Sequence, residues 1–301
     1  MQWGGVGGSL HYFTIFKTEN MRMPVFYIPH GGGPWPFMNL PPHLDHGPNL
    51  RPFLENIRNT LPRQPKSILV ISAHWEQKFP TLLDPRDSRH SLLFDYHGFP
   101  PETHEIEYPA PTAPQVTDKM SSLLTKAGFG NVSRETNRGI DHGVFVPLKL
   151  MFPHANIPVA QLSLLADMDP DEHIRLGAAI APLRDDDVLI VGSGMSYHNL
   201  RNLMSGNDVE ETSDVFDSWL ADSVTSDNPN EMKKRLTQWT SAPNAREAHP
   251  REEHLLPLMV CAGAAGSDRG SVSFSDRIMG AKIMAVEFGG KCKQEEEEEK
   301  C

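Results

Sequence analysis

The feature that most constrains this chain is a set of short runs that are apolar on both faces. They are VFYI (Val25–Ile28), SILVIS (Ser67–Ser72), PVAQLSL (Pro158–Leu164) and DVLIVGSG (Asp187–Gly194). Side chains alternate across a strand, so a run apolar at every position must be covered on both sides, as in the middle of a parallel sheet. Between the runs lie segments with helical spacing: Asn49–Leu61, Ala113–Gly128, Asp169–Leu183, Ser213–Ser226 and Asn230–Trp239. Ala113–Gly128 ends in glycine, and Asp169–Leu183 carries acids in its first turn, both favourable helix-end features. KIMAVEF (Lys282–Phe288) is placed to close the sheet. The stretch from Leu83 to Pro114, rich in Pro, His and aromatics, reads as a long functional loop or lid. Strands alternating with helices predict an α/β fold: a single domain with a central, largely parallel sheet flanked by helices. In such sheets the site forms beyond the carboxyl ends of the strands.

A chain of 301 residues with no internal repeat suits one large domain, expected over residues 23–290. Residues 1–22 read as an N-terminal extension and residues 291–301 as an acidic, disordered tail built on Glu295 to Glu299. The opening residues lack a basic region followed by a sustained apolar core and so do not read as a signal peptide. No apolar run approaches the roughly 20 residues that span a bilayer. A net charge of −11 argues against a nucleic-acid backbone as partner. Three cysteines, Cys261, Cys292 and Cys301, form neither a C-x-x-C pair nor an even set, which suits a reducing compartment; cytoplasm is the expectation. Cys261 reads as a small apolar residue on a helix.

Histidine carries the chemistry. Of the 14 in the chain, His30, His74 and His198 each follow a strand-like run, so the topology converges them at one sheet edge. Asp141-His142-Gly143 opens the helical run GVFVPLKLMF, and His249-Pro250-Arg251-Glu252-Glu253-His254 opens another, with Pro250 suited to a first helical position. The stretch YIPHGGGP (Tyr27–Pro34) resembles the oxyanion-hole start of a lipase, but such an enzyme needs a G-x-S-x-G elbow and the chain has none. The zinc-protease patterns H-E-x-x-H and H-x-x-E-H are also missing. A metal held by histidines from separate strands and a helix is the better account, with the three glycines after His30 making a tight turn.

The motifs PHGGGP (Pro29–Pro34), SAHW (Ser72–Trp75), YPAPTAP (Tyr108–Pro114), DHGVFVPL (Asp141–Leu148), IPVAQLSL (Ile157–Leu164), GSGMSYHNL (Gly192–Leu200) and REEHLLPL (Arg251–Leu258) occur in this order. Together they resemble the class III, LigB-like extradiol ring-cleaving dioxygenases, particularly the 4,5-DOPA dioxygenase branch, over about residues 23 to 290. The resemblance implies one non-haem Fe(II) per chain, held by His30, His74 and His254. It implies His198 as catalytic base, able in zinc-loaded members to approach the metal as a fourth ligand, and His142 as a neighbour positioning substrate or O2. Glu252 and Glu253 stand beside His254 as carboxylate alternatives, since non-haem iron oxygenases often use two histidines and a carboxylate. The implied reaction inserts O2 next to the diol of a small, DOPA-like catechol and opens the ring to a semialdehyde.

Trp75, Tyr197, His97 and His104 are the candidates for contact with substrate, the last two from the lid. His43, His46, His90, His154 and His173 read as surface or loop residues. Two other readings stay open: a zinc-dependent, non-redox hydrolase, since histidine ligation suits Zn(II), and a silent metal- or catechol-binding protein. The expected partners are a small molecule and O2, with no nucleic acid and no membrane, in a monomer or small homo-oligomer.

Overall fold

The structure, a computed structural model, describes residues 22–39, 48–85 and 87–289. His43, His46, the acidic tail and the N-terminal extension short of Arg22 lie outside the described residues. In chain order the elements are β1 (Val25–Pro29), α1 (Leu50–Thr60), β2 (Ser67–Gln77), β3 (Thr81–Leu83), α2 (Pro114–Lys126) and β4 (Ser133–Glu135). There follow α3 (His142–Met151), β5 (Val159–Leu165), α4 (Pro170–Ile180), β6 (Val188–Gly194), α5 (Leu200–Ser205), α6 (Glu210–Val224), α7 (Pro229–Thr237) and α8 (Ala245–Ala248). The last are α9 (Leu256–Ala265), β7 (Gly270–Ile278) and β8 (Ala281–Phe288).

One eight-stranded sheet runs β4-β3-β5-β2-β6-β1-β8-β7. Its middle is a parallel quartet, β5-β2-β6-β1, made from the four runs that are apolar on both faces. Every residue of β1, β5 and β6 is buried. Antiparallel pairings join the margins to this quartet: β8 pairs with β1 and β7 with β8, while β3 meets β5 antiparallel and itself pairs with β4 in parallel. The stretch from Leu83 to Pro114 is closed on itself by a bridge from Arg89 to Pro111 and strapped to the body by bridges from Leu92 to Ile140 and Thr112 to Val159. No helix among the described residues is long and apolar enough to cross a membrane.

Helix α9 is buried along its whole length, which explains its uniformly apolar sequence. It crosses α4 at two glycines: a Cβ at Gly177 would lie 1.9 Å from the Val260 carbonyl, and one at Gly263 would lie 2.0 Å from that of Ile174. The backbones therefore touch without side chains between them. The start of α9 seats against the end of β6 for the same reason. A Cβ at Gly192 would come within 2.6 Å of Pro257 O, and one at Gly194 within 2.1 Å of His254 O. The Gly-Ser-Gly that closes β6 is thus a packing seat that fixes the height of His254 over the sheet edge.

Two of the histidines read as surface or loop residues are buried. His90 Nε2 donates to Val159 O at 2.8 Å, and His173 Nε2 accepts the Leu165 N–H at 3.0 Å. His90 ties a connecting segment to β5 and His173 ties α4 to it, so each satisfies backbone groups that water would otherwise serve. His249 is also buried, its ring between Phe216 and Trp239 and its Nε2 donating to Ser196 O at 3.0 Å.

Gly263→Ala is expected to lower stability by about 3 kcal/mol or more, because the new methyl meets backbone rather than a movable side chain; the urea midpoint measures it. A second expectation concerns acid. Burial holds His90, His173 and His249 below their ordinary value, His249 down to about 3, so the unfolded chain binds protons that the folded one refuses. Their contribution is fully present above the unfolded value of 6.5 and declines as pH falls from there towards about 3. The urea midpoint of metal-free protein should fall over that window, and His249→Gln should flatten the slope.

Candidate metal centre

His30 stands immediately after β1. Its N–H donates to Gly194 O at 3.1 Å and its carbonyl accepts from Trp35 Nε1 at 2.7 Å. The chain then turns sharply, with φ of 77° at Gly31 and 56° at Gly33, the left-handed region that glycine enters at little cost. A Cβ at Gly33 would also sit 2.8 Å from the Phe99 ring. The glycines after His30 serve turn and packing.

His74 lies inside β2, not beyond it as the apolar run alone suggests. Pairing with β5 breaks after Ile71 and resumes at Glu76, and the irregularity carries His74. His254 sits in the turn just before α9, not in the first turn of a helix opened by Pro250. The helix begins at Leu256, and Pro257 takes the early helical position. His254 O accepts from the Tyr27 hydroxyl at 2.9 Å and from Met195 N at 3.1 Å, which locks the turn to β1 and to the residue after β6.

These three histidines converge, with one ligand atom from each all within 4.8 Å of one another. His30 Nε2 and His74 Nε2 are 3.1 Å apart. Two nitrogens bound to one ion at about 2.1 Å, at tetrahedral to octahedral angles, lie roughly 3.0–3.4 Å apart, so the pair has the separation that a shared cation requires. The tautomer of His30 follows from its neighbour. Ser193 gives its hydroxyl proton to Gly143 O, so it can only accept from His30 Nδ1–H at 3.0 Å, leaving Nε2 bare towards His74. Burial, then the neighbouring imidazoles, push His30 well below its ordinary value and His74 down to about 4. Burial and His198 do the same to His254. The rings are therefore uncharged at neutral pH, the form that ligates a metal.

Behind the triad, the buried Asp141 carboxylate accepts from Ser72 Oγ at 2.6 Å, Gln161 Nε2 at 2.8 Å and Arg138 Nη2 at 2.9 Å. Arg138 also donates to His74 O at 3.1 Å, and His74 N–H donates to Ser72 Oγ at 3.2 Å. A Cβ at Gly143 would lie 2.5 Å from Ser72 Oγ, so the glycine lets α3 close on this network.

His142 and His198 flank the triad. His142 Nδ1 donates to Asp95 Oδ1 at 2.8 Å, and its backbone N–H reaches the same oxygen at 3.0 Å. Burial would raise the Asp95 carboxyl, but the His142 hydrogen bonds and the nearby imidazoles outweigh it and hold it at about 2. His198 stacks on His254, ring centres 3.3 Å apart and planes 19° from parallel. Glu253 Oε1 lies 2.9 Å from His254 Nδ1 and 3.3 Å from His198 Nδ1. Glu253 is thus turned to the Nδ1 edges of both rings, and Glu252 faces away, paired with Arg246 at 2.6 Å.

Of the residues expected to touch substrate, Trp75 and Tyr197 are buried, Trp75 with the Arg138 guanidinium 5.4 Å from its ring centre. His97 and His104 are exposed; the His104 ring packs 5.2 Å from Tyr96, whose own ring stands 5.8 Å from His142. Sequence reading passed over Asp95, Ser193, Arg138, Gln161 and Tyr96. Asp95 and Tyr96 sit in FDYHGFP, where a lone acid among aromatics carries no spacing signal.

Residues 25–286 match the family described as the catalytic LigB subunit of aromatic ring-opening dioxygenase. The chain is 40% identical to the 4,5-DOPA dioxygenase extradiol of Beta vulgaris over 83% of this chain and 90% of that protein. It is 37% identical to the dioxygenase tasH of Hapsidospora irregularis over 91% of this chain and 88% of that one. A crystal structure of an uncharacterised Escherichia coli K12 protein superposes with a TM-score of 0.70 at 26% identity, covering 88% of this chain and 99% of that one. A single-domain α/β scaffold with clustered histidines at its strand ends defines a metal-dependent oxidoreductase of the extradiol class. The chain belongs to the LigB family of aromatic ring-opening dioxygenases. The family implies an aromatic substrate, O2 and a non-haem metal, and the three uncharged imidazoles fit such an ion.

Asp141→Asn should cost about 3 kcal/mol or more, because it leaves the Arg138 guanidinium facing an amide in a buried network. Chemical denaturation measures the loss, and metal content after dialysis should fall with it, since His74 loses its backbone anchor.

Proposed function

We propose that this chain is an Fe(II)-dependent extradiol dioxygenase that opens the ring of a small, DOPA-like catechol to a semialdehyde. The observation that carries the reading is the triad His30, His74 and His254, with two Nε2 atoms 3.1 Å apart. Bound iron would supply open positions for both catechol oxygens and O2, and a route for electrons between them. The protein's work is proton transfer and placement. His198, its Nδ1 held by Glu253, keeps a bare Nε2 that takes a hydroxyl proton from the substrate. His142, held by Asp95, positions substrate or O2 on the other flank. Tyr96 stands next to His142, its ring packed against Phe94 and Phe99 with the buried Phe145 behind, and offers an aromatic surface for the substrate.

The balance is simple: both atoms of O2 enter the product, and the carbon–carbon bond beside the diol breaks to leave one carboxylate and one aldehyde. The names of relatives, 4,5-DOPA dioxygenase extradiol in Beta vulgaris and Mirabilis jalapa, support a DOPA-like substrate. We place the activity in residues 23–290.

Protein reconstituted anaerobically with Fe(II) should consume O2 with L-DOPA or a related catechol and develop a yellow chromophore. His30→Ala and His254→Ala should lose both metal and turnover. His198→Ala should retain metal while turnover falls by about 10²–10⁴. Oxygen-independent hydrolysis with Zn(II), and no O2 uptake with any catechol, would overturn the reading.

A further inference from the structure

Five histidines crowd this sheet edge, and four of them have Nδ1 within hydrogen-bonding reach of an acceptor-only group. His30 Nδ1 meets Ser193, His142 Nδ1 meets Asp95, and His254 and His198 share one oxygen of Glu253. The fifth, His74, has its Nδ1 3.5 Å from the other oxygen of Asp95. An ionised carboxylate cannot donate, so each ring facing one carries its proton on Nδ1 and leaves Nε2 bare. The acids are arranged in a pattern. Asp95 spans His74 and His142, and Glu253 spans His254 and His198. Each carboxylate therefore joins one histidine of the triad to one histidine of the flanking pair.

The two joints differ in emphasis. Asp95 holds the flanking histidine firmly, at 2.8 Å through the ring and 3.0 Å through the backbone, and the triad histidine loosely at 3.5 Å. Glu253 holds the triad histidine at 2.9 Å and the flanking one at 3.3 Å. Glu253 is itself braced: Arg251, which pairs with Glu76 on β2 at 2.5 Å, also reaches it at 3.3 Å.

We propose that Asp95 and Glu253 are positioning residues that set all the flanking and triad imidazoles they touch in one tautomer. In this division Asp95 chiefly serves the side that positions substrate or O2, through His142, and Glu253 chiefly serves metal retention, through His254. The assignment rests on the roles given to these histidines above, and it adds residues that act only through them.

Three measurements on Asp95→Asn and Glu253→Gln test it. Metal affinity comes from competition of Co(II) against a chromophoric chelator. Glu253→Gln is expected to weaken it by about 10–100-fold, as loss of a partner behind a ligand histidine does, and Asp95→Asn by less than about 3-fold. Steady-state kinetics should show Asp95→Asn lowering kcat with KM little changed. Nitrogen-15 NMR of the metal-free protein should place the proton of His142 and His198 on Nδ1, a preference lost in the respective variant. Where Glu253→Gln does not fold, Glu253→Asp, which keeps the charge but withdraws the oxygens, should show the same ordering at smaller size. Wild-type affinity, kcat and tautomer in both variants would overturn the proposal, as would equal loss of metal from both. Wild-type protein that opens no catechol ring would instead sink the proposed function, leaving the affinity and NMR results to judge the carboxylates.

Discussion

The buried carboxylate of Asp141 is the interaction on which the site depends. It takes one hydrogen bond from β2 through Ser72, one from β5 through Gln161, and one from Arg138 just ahead of α3. An unpaired charge in that position would be costly, and satisfying it obliges three segments to meet in one geometry. Two residues on, the carbonyl of Gly143 accepts from Ser193 on β6, and Ser193 in turn holds His30 at the end of β1. The chain of contacts thus crosses all four parallel strands. His30 and His74 converge because the polar groups beneath them have one way to be satisfied.

The middle of the sheet was plain in the sequence, since burial on both faces leaves no ambiguity about which side of a strand is covered. Its margins were not. In β2 the apolar run ends at Ser72, yet pairing continues to Gln77 because β5 receives Glu76 and Gln77 after an irregularity; a backbone deviation leaves no mark in hydropathy. β7 alternates polar and apolar as an edge strand does, but GSVSFSDRI is too polar to separate from a loop until β8 is beside it. Pro250 was a plausible helix start, and Pro257 is the one used, because Gly192 and Gly194 give α9 its seat only there.

The site shows a sharper division. Histidines at strand ends were legible, because strand ends converge in any parallel sheet. The acids that orient them were not. Asp95 reaches His142 from a segment 47 residues away, and Glu253 could be read only as a neighbour of His254 competing for the same metal. In the structure Glu253 Oε1 lies 2.9 Å from His254 Nδ1, on the edge of the ring that backbone spacing alone does not reveal. His90 and His173 escaped for the opposite reason: they satisfy only backbone groups, a task that polar residues of the right reach can perform.

Turning the acids outward has an electrostatic consequence. Burial and mutual repulsion keep the triad imidazoles uncharged, and the carboxylates of Asp95 and Glu253 face Nδ1 edges of the cluster, on the far side of those rings from the bare nitrogens. A divalent ion held by three neutral donors keeps its full charge towards the open side, where a carboxylate ligand would have offset part of it. Such a charge would favour an anionic ligand over a neutral one, which suits the catechol proposed above. In the proposed division the carboxylates act where they do not compete with a ligand of the ion: they hold protons on Nδ1, so that the opposite nitrogens stay free to bind metal or accept a proton.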